Sequence, residues 1–434
     1  MATIAEIRLW GKPIGAVSLD DGETTARFAY DPPFLRSKIE VAPLMMPLSE
    51  RIYAFPSLNP ESFHGLPGLL ADALPDKFGN ALINAWLIRQ GRRPESFNAI
   101  ERLCYTGSRG MGALEFLPST GPSAKASKAV AVDQLVALAS EILSQREGMR
   151  LSFDEDHRET ALRDILRVGT SAGGARAKAV IAWNPRTNEV RSGQVELEAG
   201  FEAWLLKFDG VTGNKDKELL DPEGYGVIEY AYHLMARDAG ITMSACRLFE
   251  ENGRRHFMTR RFDRPDAGGK LHLQSLCAMA HYDFNLAGAY GYEQAYEVMR
   301  RLDLPMADLE EQFRRMLFNL VARNQDDHTK NIAFLMDKAG RWRLSPAFDV
   351  TYSYNPDGAW TSRHQMSVNG KRDQFELADL VACARNAGLK RGRAATLLEQ
   401  VITAARRWKD HAADAGVPER DAEKIASVFR LDWK

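Results

Sequence analysis

Apolar residues at Phe313, Met316, Leu317, Leu320 and Val321 fall at i, i+3, i+4, i+7 and i+8, the stripe of a helix with one face in a core. The pattern predicts a helix that stops at Asn324. Residues 332–336 are then a short apolar run, 337–340 are turn chemistry, and 341–344 alternate polar and apolar, so together they predict a β-hairpin. Upstream, the same reading gives strands over 4–10, 179–183 and 201–208 and a helix over 129–147. A second helix over 227–239 carries a stripe of Ile228, Ala231, Tyr232, Met235 and Ala239, weakened by its small residues. Strands dominate from about 160 to 265 and helices from 275 to 434, apart from the hairpin. The stretch 118–128, PSTGPSAKASK, breaks the composition and reads as a linker. Four parts follow: 1–117, the linker 118–128, a strand-rich lobe 129–265 and a helical lobe 266–434. That order suits a nucleotide cleft between two lobes.

The hairpin gives the polar residues at its ends a meaning. Asp326 and Asn331 precede the outgoing strand and Asp349 follows the returning one, so two carboxylates and an amide oxygen converge. Mg²⁺ takes one or two oxygen ligands from a protein, and Asn331 and Asp349 fit that role. Asp326 stands five residues before Asn331, the spacing of the protein-kinase catalytic loop, where the Asp accepts the proton of the attacking hydroxyl. Lys330 would neutralise charge developing on phosphate. The same residue types also favour turns and caps for local hydrogen-bonding reasons.

A second cluster upstream points the same way. Gly169, Gly173 and Gly174 let backbone N–H groups approach phosphate oxygens, and Arg176 and Lys178 add positive charge. No GK[ST] closes this loop, so it is not a Walker A sequence. Lys207, in the next apolar strand, suits the strand lysine of a kinase, with Glu229 available as its helix partner. The plain alternatives are a surface turn for the loop, a snorkelling strand-end residue for Lys207 and a solvated helix face for Glu229. His328 reads as a residue that orients the catalytic loop, and Trp204 as core.

With these residues in place the chain resembles the HipA family of serine/threonine kinases, the toxin half of a bacterial toxin–antitoxin pair. The resemblance rests on Ser171-Ala172-Gly173-Gly174-Ala175-Arg176-Ala177-Lys178 and on Asp326-Asp327-His328-Thr329-Lys330-Asn331. Ser345-Pro346-Ala347-Phe348-Asp349, Arg261-Phe262-Asp263-Arg264 and residues 366–371 extend it, and Leu74-Pro75-Asp76 and 107–116 match the family's N-terminal subdomain. It implies an α+β, two-lobed protein-kinase-like fold, similar to phosphatidylinositol 3/4-kinases, with a mixed α/β N-terminal subdomain and a mainly helical C-terminal lobe. It further implies Asp326 as catalytic base, assisted by Lys330 and His328, with Asn331 and Asp349 as Mg²⁺ ligands. ATP would be held by Gly169, Ser171, Gly173, Gly174, Lys178, Lys207, Glu229, Arg260 and Phe262. Ser171, or its neighbour Thr170, would be the autophosphorylation site that switches the enzyme off. The implied partners are a HipB-like DNA-binding antitoxin, through which alone DNA is met, and a protein of the translation machinery such as an aminoacyl-tRNA synthetase. Two positions depart from the family pattern. Asp327 adds a carboxylate, and Arg260 stands at the adenine hinge, its side chain expected to point away.

Composition narrows the rest. At 434 residues and 45% hydrophobic the chain can bury several cores. A net charge of −1 argues against unaided nucleic-acid binding over a broad basic surface. Cys104, Cys246, Cys277 and Cys383 show no paired spacing, which fits buried free thiols in a reducing compartment and argues against zinc. No apolar run reaches transmembrane length and the first ten residues lack a signal-peptide pattern, so a cytoplasmic protein without membrane contact is expected. Two other readings compete: a small-molecule kinase on the same lobes, and a catalytically silent antitoxin-binding corepressor. A metal nuclease built on Asp326, Asp327 and His328 would leave Lys207 and the Gly loop without a role.

Overall fold

The computed structural model describes residues 2–121, 130–144, 166, 176–193, 197–211, 224–266 and 268–433. The N-terminal sheet has the order β3-β2-β1-β4, formed by β1 (Thr3–Leu9), β2 (Lys12–Leu19), β3 (Arg27–Tyr30) and β4 (Leu114–Leu117). Ala5, Ile7 and Leu9 are buried on β1 while their neighbours are not, the period-two signature of a half-buried strand. The two longest helices of this part are α1 (Lys77–Arg89), capped by Asp76, and α2 (Ala99–Thr106), capped reciprocally by Asn98 and Glu101.

The second sheet runs β6-β5-β7-β9-β8, with β5 (Lys178–Trp183), β6 (Val190–Ser192), β7 (Glu202–Lys207), β8 (Cys246–Glu251) and β9 (Arg254–Arg260). Its core is shared. Phe78, Leu82 and Leu87 of α1 pack with Leu135 and Val136 of α3 (Val132–Ser144) and with Ile181, Trp204 and Leu206 of the sheet. The N-terminal subdomain is thus built into the wall of the strand-rich lobe. Across the sheet, α4 (Tyr225–Asp238) carries Glu229.

The hairpin read from the sequence is present as β11 (Ala333–Met336) and β12 (Trp342–Leu344), with Phe334 opposite Leu344 and Met336 opposite Trp342. A third strand, β10 (His272–Ser275), joins it antiparallel and runs into α5 (Leu276–Ala280). The α-helices that follow α5 among the described residues are α6 (Tyr292–Arg301), α7 (Met306–Val321), α8 (Leu377–Asn386), α9 (Arg393–Arg406), α10 (Trp408–Ala415) and α11 (Glu419–Ala426). They enclose a core around Tyr232, Phe313, Leu317, Leu397 and Trp408. Helix α7 ends three residues before Asn324, because Arg323 takes a left-handed φ of 57° that turns the chain. All four cysteines are free and buried. Among the described residues no helix is long and apolar enough to cross a membrane.

Candidate active site

The loop between α7 and β11 is pinned by backbone pairing to the segment that follows Asp349. Gln325 N–H donates to the Ser353 carbonyl at 3.1 Å and Ser353 N–H to the Arg323 carbonyl at 3.1 Å. On this frame the two adjacent carboxylates point in different directions. Asp326 keeps partial exposure, and its Oδ1 accepts the Trp360 indole N–H at 2.6 Å. Asp327 turns inward, where it accepts from Tyr292 hydroxyl at 2.8 Å, from His364 Nδ1 at 3.0 Å and from Gln365 N–H at 2.8 Å. A buried carboxylate with three donors is solvated by the protein in place of water. Asp327 is therefore an anchor for the loop.

Asn331 Nδ2 donates to the Asp326 carbonyl at 2.8 Å, which turns its Oδ1 away from the backbone. Asn331 and Asp349 line one cavity of about 30 Å³ together with Asp327, His328 and Asn324. That is room for a small ion or a water, not for a nucleotide. Asp349 has a left-handed φ of 56°, a conformation Asp tolerates better than most side chains and one that costs about 1 kcal/mol or more. An amide oxygen and one carboxylate on a shared cavity match the sparse protein ligation of Mg²⁺. Among the described residues no cluster of three or more His, Cys, Asp or Glu could form an all-protein cage.

Lys207 on β7 lies between two carboxylates, 2.5 Å from Glu229 and 2.5 Å from Asp349. Burial works against its charge, but Asp349 and Glu229 outweigh it and raise its pKa above that of an ordinary lysine. Burial likewise pushes Asp349 up, yet Lys207 and Lys178 hold it well below the usual carboxylate range. Glu229 is 1% exposed, so it belongs to the interior and not to a solvated helix face. Arg176 sits 3.9 Å from Glu229 and stacks over the Tyr225 ring at 3.2 Å from its centroid.

Lys178 pairs with Lys207 across β5 and β7 and lies 3.6 Å from Asp76, the cap of α1. Burial pushes Asp76 up to about 6 against the pull of Lys178. The N-terminal subdomain thereby contributes a carboxylate beside the candidate phosphate lysines. Lys330 packs over the Phe284 ring at 4.3 Å, and His328 meets the same ring edge-on at 5.6 Å. Arg260 turns outward to Asp266 and Glu202, while Phe262 packs against Phe348 beside Asp349. Gly169, Thr170, Ser171, Gly173 and Gly174 lie outside the described residues.

Sequence reasoning missed the structural roles of Asp76, Trp360, His364 and Gln365. Asp76 had a cap position before α1 to mark it. The other three stand in a stretch with no periodicity, and nothing local marks them.

Comparison with known proteins now adds the family. The HipA-like C-terminal domain description matches residues 170–409 and the HipA N-terminal domain description matches residues 5–117. The chain belongs to the HipA-like family. The putative kinase Y4mE of Sinorhizobium fredii (strain NBRC 101917 / NGR234) is 27% identical over 125 residues, 27% of this chain and 30% of that protein. The match thus spans under a third of that relative's length. HipA of Shewanella oneidensis MR-1, solved with HipB and operator DNA, superposes with a TM-score of 0.68 at 16% identity over 98% of this chain and 94% of that one. At that identity the likeness shows the fold, the two-lobed HipA architecture. The Helicobacter pylori proinflammatory kinase CtkA matches 54% of this chain and 90% of its own at 10% identity and a TM-score of 0.34, which carries no argument.

Proposed function

We propose that this HipA-like chain is an ATP- and Mg²⁺-dependent serine/threonine protein kinase that acts as the growth-inhibiting toxin of a toxin–antitoxin pair. The observation that carries the reading is the buried Lys207, held at 2.5 Å by both Glu229 and Asp349 beside a cavity that Asp349 shares with Asn331. A silent binding subunit has no need to bury one cation between two carboxylates, since such pairs recover their desolvation cost poorly. The arrangement suits a site that receives phosphates and a divalent ion.

Phosphoryl transfer asks a protein for positioning and charge stabilisation. Lys207 supplies charge for the nucleotide phosphates, and Glu229 fixes where its ammonium stands. Asn331 and Asp349 would hold Mg²⁺, whose charge offsets that developing on the transferring group. Asp326, partly exposed beside them, orients the acceptor hydroxyl and takes its proton. Ser171 is the proposed self-phosphorylation site, where roughly −1.5 to −2 of added charge would oppose nucleotide binding. A HipB-like antitoxin is the proposed partner, by analogy with the Shewanella complex, and a translation protein the proposed target.

Intact-mass measurement with phosphopeptide mapping, after incubating dephosphorylated protein with Mg-ATP, tests the reading beside Asp326→Ala. Phosphate on Ser171 in the parent alone supports it. No phosphate on the parent and no ATP binding by calorimetry removes it in favour of an antitoxin-binding subunit.

A further inference from the structure

Residues 350–365 leave the metal loop at Asp349 and return to the catalytic loop. Along the way they are tied to it repeatedly. Tyr354 lies under the Arg323 guanidinium at 4.5 Å from its ring centroid, while Tyr225 of α4 donates its hydroxyl to the Tyr352 carbonyl and ties the segment to that helix. Gln365 makes the strongest staple. Its backbone N–H goes to Asp327 at 2.8 Å, and its side-chain amide donates to the carbonyls of Gln325 at 3.1 Å and Trp360 at 2.6 Å. The Trp360 backbone is therefore fixed relative to the catalytic loop by a side chain that is itself 3% exposed. Its indole then reaches Asp326 Oδ1 at 2.6 Å.

We infer that Trp360 is a positioning residue for the catalytic carboxylate, tying Asp326 Oδ1 so that Oδ2 is presented to the acceptor hydroxyl; this rests on the kinase reading above. The indole suits the task because it donates one hydrogen bond and accepts none, so it cannot take the acceptor's proton. A bond to an ionised oxygen is short and strong, and it removes the free rotation of an otherwise partly exposed carboxylate. In the transfer step the acceptor oxygen bonds to the γ-phosphorus while the bond to the β,γ-bridging oxygen breaks. ADP leaves with that electron pair, and the acceptor's proton passes to Asp326 Oδ2. Oδ1 keeps its indole partner throughout.

Two readouts test this on the full chain. In protein labelled with ¹⁵N at its eight tryptophans, Trp360→Phe identifies the Trp360 indole signal. That signal is expected to move when Asp326 becomes Ala, and its indifference to Asp326→Ala overturns the proposal. The second readout is the rate of self-phosphorylation over a range of Mg-ATP concentrations, with the melting temperature checked for each variant. Trp360→Phe is expected to lower the limiting rate roughly tenfold while leaving the half-saturating ATP concentration unchanged, a split that general loosening of the fold does not produce. A parental limiting rate in Trp360→Phe overturns the role of Trp360 and leaves the kinase reading standing. A parent that takes up no phosphate overturns both.

Discussion

His364 Nδ1 lies 3.0 Å from Asp327 Oδ2, and through this contact the loop between α7 and β11 is tied to residues near 430. The other ring nitrogen, Nε2, faces Arg430 Nη1 at 3.0 Å. A guanidinium only donates, so Nε2 accepts and the ring proton sits on Nδ1, donating to Asp327. Arg430 is held in turn by Asp373 and by the Leu320 carbonyl at 3.0 Å. The Asp327 carboxylate is thus the inner end of a chain of donors.

His364→Ala removes one of the three donors of a buried carboxylate and one of the two acceptors of Arg430 Nη1, which keeps the Leu320 carbonyl. It is expected to cost about 3 kcal/mol in urea unfolding. His364→Asn keeps an N–H donor near the Nδ1 position and is expected to cost clearly less. Equal losses in the two variants would remove the donor role assigned to Nδ1.

A second buried charge fastens the N-terminal subdomain. Asp263 is 0% exposed and receives Arg261 and Arg264, each at 2.7 Å, and the Gly112 N–H at 2.7 Å, while Arg264 also donates to the Gly110 carbonyl at 3.1 Å. Burial raises its pKa, but the two guanidiniums drive it well below the usual range. The folded value is depressed, so the stability it contributes is present above the unfolded pKa of ~4 and is lost only as pH falls towards that lower value. Asp263→Ala leaves two arginines facing each other and is expected to cost about 3–5 kcal/mol. Chemical denaturation at pH 7 measures the loss, and a change within 1 kcal/mol would remove the clamp.

The sequence showed what is local. The α7 stripe, the β11–β12 hairpin and the residues at its ends were legible because each depends on spacing within about thirty positions. The Lys207–Glu229 pair, across one strand and one helix, was legible only with a kinase template in mind. Trp360, His364 and Gln365 stayed hidden because turn-rich segments take their places from tertiary hydrogen bonds. The shared core of α1 with the second sheet was hidden for a related reason, since α1 ends at Arg89 and the sheet's first strand begins at Lys178, far apart in sequence but joined by packing.

His281 predicts how the fold responds to acid. It packs edge-on against Phe55 at 4.5 Å, and its Nε2 accepts the Gly68 N–H at 3.0 Å, joining the N-terminal subdomain to α5. Burial lowers its pKa to about 4. An unfolded histidine titrates near ~6.5, so the unfolded state binds more protons between the two values. Stability is therefore complete above pH ~6.5 and falls as pH drops through about 4. The melting temperature should decline over that window, and His281→Gln, which offers an acceptor without a titrating ring, should flatten the decline. An unchanged slope in the variant would assign the acid loss to other groups, His256 among them, whose pKa burial also lowers to about 4.

Lys207 separates stability from nucleotide binding. Lys207→Met leaves Glu229 and Asp349 without the cation between them, and Glu229 keeps Arg176 at 3.9 Å. Breaking a buried pair from one side costs about 3–5 kcal/mol, because the remaining charge stays buried. Removing both partners in Lys207→Met/Glu229→Leu should recover part of that loss, since an apolar pair of similar volume is often neutral. Nucleotide binding should not recover with it, because the ammonium that meets the nucleotide phosphates is still missing. Urea unfolding and Mg-ATP calorimetry on the two variants read the two effects separately, with affinity expected to fall at least tenfold in both, about 1.4 kcal/mol. Parental ATP affinity in Lys207→Met would reduce Lys207 to a structural residue, and the kinase reading would lose the observation on which it stands.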